Sequence, residues 1–146
     1  MAHLVDTNVL LRILAEDSDE HALAMAAVSA LKLRGEDLFV TPQVLIECCC
    51  AGTRPRDANG FGWDMGLALS RVRNLMGMFP LLEDTPVVFA EWLAVVGSHS
   101  VCGKQVHDAR LVAVMKAHGV ENLLTFNVGN FKGYAGVNAV HPADVA

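Results

Sequence analysis

Short apolar runs alternate along the chain with longer stretches of helical periodicity. Leu4-Val5, Leu38-Phe39-Val40, Asn122-Leu123-Leu124-Thr125 and Asn138-Ala139-Val140 read as short strands, and Phe79-Pro80-Leu81-Leu82 as a weak strand or extended link. Helices are expected over Val9–Leu14, Glu20–Leu33, Pro42 through Cys50, Leu67–Met78, Pro86 through Val96, and Gln105–Met115. Their ends carry chemical reasons. Gly35 and Gly119 follow helical runs as C-terminal stops. Thr41-Pro42 supplies a side-chain cap and a proline at the first helical position. Alternating strands and helices predict an α/β fold, a parallel sheet covered by helices. No internal repeat, low-complexity tract or linker interrupts the pattern, so residues 1–146 are expected to form a single domain.

Composition narrows the picture. The chain is 53% apolar and has a positive mean hydropathy. No apolar run reaches the roughly 18 residues of a membrane helix, and no basic-then-apolar leader opens the chain. The surplus apolar surface is expected to face a second copy or a protein partner. The formal net charge of −5 argues against a broadly basic nucleic-acid binder. It leaves open an enzyme that meets nucleic acid through cations held by acids. The four cysteines, Cys48, Cys49, Cys50 and Cys102, match no zinc spacing and no disulfide framework. They read as small buried apolar residues of a cytoplasmic protein.

Candidate chemistry lies with three acids. Asp6 follows the first strand, Glu47 sits in the apolar helix after Thr41-Pro42, and Asp108 lies in the first turn of the Gln105 helix. Each has an ordinary structural explanation: a helix cap, a solvated glutamate, compensation of the helix dipole. All three nevertheless fall near the carboxyl ends of strands, which share one edge of a parallel sheet and are where α/β folds bind ligands. Carboxylates gathered there repel one another, and a divalent cation removes that cost. Hard oxygen donors suit Mg²⁺ or Mn²⁺. Arg54 and Arg56, in the loop between Gly52 and Gly66, could contact phosphate or simply be solvated. His107 is given no catalytic role.

These pieces, taken in order, resemble the PIN-domain ribonucleases, and within them the VapC-type toxins of toxin–antitoxin pairs. The matching stretches are Leu4 to Leu10, Thr41 to Glu47, Thr53-Arg54-Pro55 with Asn59-Gly60, His107 to Ala113, and Leu124-Thr125-Phe126-Asn127 through Phe131. The resemblance implies a three-layer domain, a parallel sheet of about five strands with helices on both faces. It implies Mg²⁺- or Mn²⁺-dependent endonucleolytic cleavage of RNA by water, leaving a 5′-phosphate and a 3′-hydroxyl. Asp6, Glu47 and Asp108 would hold the metal, and Thr125 or Asn127 would orient water or metal. A small antitoxin would neutralise the enzyme, and a homodimer or toxin–antitoxin hetero-oligomer is expected, with no membrane involvement. The chain departs from the family in one respect. Where many members carry a further aspartate after the fourth strand, Asn127 and Asn130 stand here. An asparagine offers a cation an uncharged oxygen, so the alternative is a weakened or inactive RNA- or protein-binding module on the same fold. A phosphoacceptor or phosphatase with Asp6 as nucleophile ranks last, because position 8 is Asn8 and no lysine follows Thr125 before Lys132.

Overall fold

The computed structural model describes residues 1–145. The strands are β1 (Ala2–Val5), β2 (Asp37–Phe39), β3 (Asn122–Leu124) and β4 (Asn138–Val140). The helices are α1 (Thr7–Leu14), α2 (His21–Leu33), α3 (Pro42–Thr53), α4 (Met65–Met78), α5 (Val87–His99) and α6 (Gln105–His118). Three short 3₁₀ turns, Arg56–Ala58, Val128–Phe131 and Pro142–Asp144, complete the chain. Among the described residues no helix is long and apolar enough to cross a membrane.

The strands form one parallel sheet in the order β2-β1-β3-β4. Leu4 pairs with Phe39 on one side and Leu123 on the other. Successive strand residues point to opposite faces. Leu4, Val5, Leu123 and Leu124 are all fully buried, so both faces of the central pair are covered. That double covering explains why these strands read as continuous apolar runs. Helix α6 contributes a solid block to the same core, from Leu111 through Met115, and α5 packs along it.

The sheet has four strands where about five were expected. The Phe79–Leu82 stretch lies beside β2 but makes a single bridge, Val40 to Leu81. The Val40 N–H donates to the Pro80 carbonyl and the Leu82 N–H to the Val40 carbonyl. Pro80 has no N–H to extend the ladder. The cysteines divide: Cys48 is buried and Cys49 half-buried, whereas Cys50 and Cys102 are exposed, against the expectation that all would be core residues.

The sheet carries its hydrogen bonding slightly past the strand ends. The Asp6 N–H donates to the Leu124 carbonyl at 3.0 Å, and the Thr125 N–H donates to the Val140 carbonyl at 3.0 Å. Asp6 and Thr125 therefore leave neighbouring strands side by side at the carboxyl edge. Helix α3 starts at the same edge. Its cap, Thr41, is fully buried, and its hydroxyl accepts the Val44 N–H at 3.2 Å. Thr41→Ala should lower the unfolding free energy by about 1 kcal/mol, read as a lower urea midpoint at unchanged slope, and Thr41→Ser should recover most of it.

Candidate active site

Asp6 begins as a cap. It precedes α1 in an extended conformation, and its Oδ1 accepts the Thr7 N–H at 2.8 Å. The cap uses one oxygen and leaves the other free for longer-range contacts. Oδ2 accepts the Thr125 hydroxyl at 2.8 Å and the Asn8 Nδ2 at 3.3 Å. Thr125 is fully buried, and its Oγ1 also accepts from Asn8 Nδ2 at 3.1 Å and from the Asn127 N–H at 3.0 Å. The Asn8 Oδ1 in turn accepts the Phe126 N–H at 3.0 Å. Asn8 thus stitches the start of α1 to the turn after β3.

Glu47 comes to the same place from α3. Its Oε2 accepts the Thr7 hydroxyl at 3.0 Å, and its Oε1 accepts Gln43 Nε2 at 2.8 Å. Gln43 sits one helical turn earlier on α3, on the same face. Its amide is fully used: Nε2 also donates to the His107 carbonyl at 2.8 Å, and Oε1 accepts from Arg110 at 3.0 Å. Arg110 continues to Asp84 at 2.9 Å. This chain of contacts fixes α3 against the opening turns of α6, where Asp108 stands half-buried.

The electrostatics tie the three acids together. Burial, with smaller contributions from Glu47 and Asp108, raises the Asp6 carboxyl from its ordinary 3.8 to about 6, against the opposing hydrogen bonds from Thr125 and Thr7. Burial also raises Asp108, Glu47 adds to the effect, and His107 opposes it. Glu47 thus acts as a like charge on both Asp6 and Asp108. Glu47 and Asp108 line an open cavity of about 720 Å³, with Lys104, His107 and Arg110 on its walls. Asp6 lies off that wall and is joined to it through Thr7 and Glu47.

Of the residues expected from sequence, Asp6, Glu47 and Thr125 share one hydrogen-bonded network, and Asp108 joins them through the field. Asn127 reaches the network by its backbone N–H, while its side chain is exposed, as is that of Asn130. Thr7, Asn8 and Gln43 were not singled out. The signal for Gln43 was its spacing of one turn before Glu47, and Asn8 was weighed only as a missing acid. Carboxylate oxygens are the donor type that a hard divalent cation takes. Among the described residues no group of three or more His, Cys, Asp or Glu side chains is posed to hold a metal ion.

A raised carboxyl means that the folded protein holds a proton the unfolded chain has released. Asp6 therefore favours folding most at low pH, and this is lost as pH rises from about 3.8 through about 6. The shift of about two units corresponds to a loss on the order of 3 kcal/mol. In EDTA, unfolding free energy should fall between about pH 4 and about pH 7.5, and Asp6→Asn should flatten that fall. Parallel pH profiles for the two proteins would contradict the buried charge.

Comparison with known proteins bears on this geometry. No curated protein matches the chain significantly in sequence. The chain superimposes on VapBC2 from Rickettsia felis bound to a DNA fragment from its promoter, with a TM-score of 0.74 at 12% identity, covering 97% of this chain and 98% of that one. It superimposes on VapBC-1 from nontypeable Haemophilus influenzae with a TM-score of 0.71 at 15% identity, covering 98% and 99%. It also superimposes on VapC20 from Mycobacterium tuberculosis, described as a Sarcin-Ricin loop cleaving toxin, with a TM-score of 0.62 at 15% identity, covering 90% and 96%. At these identities the likeness is one of fold. The sequence model of the PIN domain matches residues 3–137. The chain therefore belongs to the PIN-domain family.

Proposed function

We propose that the protein is an Mg²⁺- or Mn²⁺-dependent endoribonuclease of the VapC type, a toxin neutralised by a small antitoxin. The observation that carries the reading is the hydrogen-bonded network that brings Glu47 beside the buried Asp6 at the carboxyl edge of the sheet, with Asp108 across the cavity from α6 and the carboxyls of Asp6 and Asp108 both raised. Such a cluster is costly by itself and serves cation binding. The fold neighbours support the rest, since one is described as a Sarcin-Ricin loop cleaving toxin and two as VapBC structures.

In this reading Asp6, Glu47 and Asp108 hold the cation. The bound ion supplies Lewis acidity toward a phosphodiester and acidifies a water molecule. The chain's own residues do the positioning. The Thr125 hydroxyl and the Thr7 N–H hold the Asp6 carboxylate in one orientation. The Thr7 hydroxyl and Gln43 hold Glu47. Lys104 and Arg110 bring positive charge to the cavity wall for the RNA backbone. An antitoxin side chain bearing a cation would compete for the same acids. Exposed Ile46, Met65 and Leu93 provide apolar area for an antitoxin or a second copy, in a cytoplasmic setting.

A second reading rests on Asn127 and Asn130, which place uncharged, exposed side chains where an acid would strengthen cation binding. It makes the protein a weakened or non-cleaving module that binds RNA or protein.

RNA cleavage should require Mg²⁺ or Mn²⁺, stop with EDTA, and be lost in Asp6→Asn. Cleavage by Asp6→Asn at the parent rate would sink the nuclease reading. Thr125→Ala should weaken Mg²⁺ binding or activity roughly 10–100-fold, the range for losing a residue that orients a metal ligand, measured by Mg²⁺ titration of thermal stability alongside the nuclease assay. If the parent is silent and Asn130→Asp or Asn127→Asp gains cleavage, the second reading is the right one.

A further inference from the structure

A second cavity, of about 400 Å³, adjoins the acid-lined one and shares Asp84, His107 and Arg110 with it. Its own walls are Thr85, Val88, Phe89, Trp92 and Val106, from the start of α5 and the start of α6. This volume is within the roughly 300–1,000 Å³ of small-molecule clefts. Three features set it apart from an ordinary surface dent.

The first is a rigid aromatic platform. The Trp92 indole N–H donates to the Val106 carbonyl at 2.9 Å, which fixes the ring across the two helices. Phe89 stacks on Trp92 with ring centroids 5.8 Å apart and planes 16° apart. Yet Phe89 is 65% exposed, so an aromatic face is presented to solvent on a held support. The second is a mainly apolar lining, with Val88 and Val106 beside the rings. The third is position. The cavity opens beside Arg110 and His107, which also line the chamber of Glu47 and Asp108.

A planar, uncharged ring matches all three. Unstacked bases of single-stranded RNA are recognised by stacking on aromatic side chains and by hydrogen bonds to their edges. We infer that the Phe89–Trp92 cavity is a nucleobase-binding subsite, which seats one base of a single-stranded RNA whose backbone passes the neighbouring acid chamber. The assignment of the ligand to RNA rests on the nuclease reading above. Phe89 stacks the base, and Trp92 supports Phe89. Arg110, held by Asp84 and Gln43, stands between the base and the acids. The subsite would let the enzyme choose where along a strand the acids act.

The test uses neutral nucleosides, which carry neither a cleavable phosphodiester nor a charge for the acids to repel. The chain has two tryptophans, and Trp63→Phe assigns the remaining indole N–H signal in a nitrogen-15 correlation spectrum to Trp92. Titration with adenosine or uridine in EDTA should shift that signal in a saturable way, and ribose alone should not. Phe89→Ala should weaken the response roughly tenfold or more, within the range for losing a base-stacking side chain, and Phe89→Tyr should restore it. A Trp92 signal indifferent to both nucleosides overturns the subsite. So does a signal that moves with protein concentration alone while light scattering shows a doubling of mass, because a second copy then fills the cavity. Nucleoside binding in a protein that never cleaves RNA keeps the subsite and removes the nuclease; metal-dependent cleavage with no nucleoside response does the reverse.

Discussion

A carboxylate buried at the end of a strand is the constraint around which this molecule is built. Asp6 is 7% exposed and surrounded by the core, yet its two oxygens accept from three groups on two segments of chain. Neutral donors alone do not offset the burial, since the carboxyl still rises to about 6. Everything nearby holds that oxygen pair still: the parallel ladder that sets Asp6 beside Thr125, the Asn8 bridge to the turn after β3, and the Thr7 hydroxyl that hands the network on to Glu47.

The second half of the construction is how helices α3 and α6 are held at a fixed separation. Gln43 does this with a single amide, and every polar atom on it is used. A neutral side chain is suited to the place. A cation there would neutralise Glu47 permanently and compete with any metal, while another acid would add repulsion. Arg110 carries positive charge to the same junction, but it is held by Asp84 and by the amide oxygen of Gln43, away from the carboxylates.

Much of this was visible in the chain before folding. The short apolar runs became strands because both sheet faces are covered, which erases the alternation of a half-exposed strand. Thr41-Pro42 announced α3 through local chemistry alone. Asp6, Glu47 and Asp108 could be placed on one edge because a parallel sheet aligns its strand ends. What stayed hidden depends on long-range pairing. Asn8 and Thr125 touch across more than a hundred residues, and no local pattern encodes that contact. Phe79–Leu82, open in sequence between a weak strand and an extended link, makes a single bridge, and Pro80 has no N–H to add another. Cys50 and Cys102 face outward because the apolar content of a helix does not say which of its faces finds a neighbour. Thr85, with its hydroxyl closed off on a cavity wall, has no signature in sequence at all.

Asp6 also caps the first helix, and this double employment has an evolutionary corollary. An oxygen at that position is needed to start α1 whether or not any reaction takes place. A descendant could exchange the carboxylate for a carboxamide, surrender its chemistry, and still inherit a well-formed architecture. The selection that preserves the scaffold is therefore partly separable from the selection that preserves turnover, and silent lineages of this shape would persist as ready material for new binding roles.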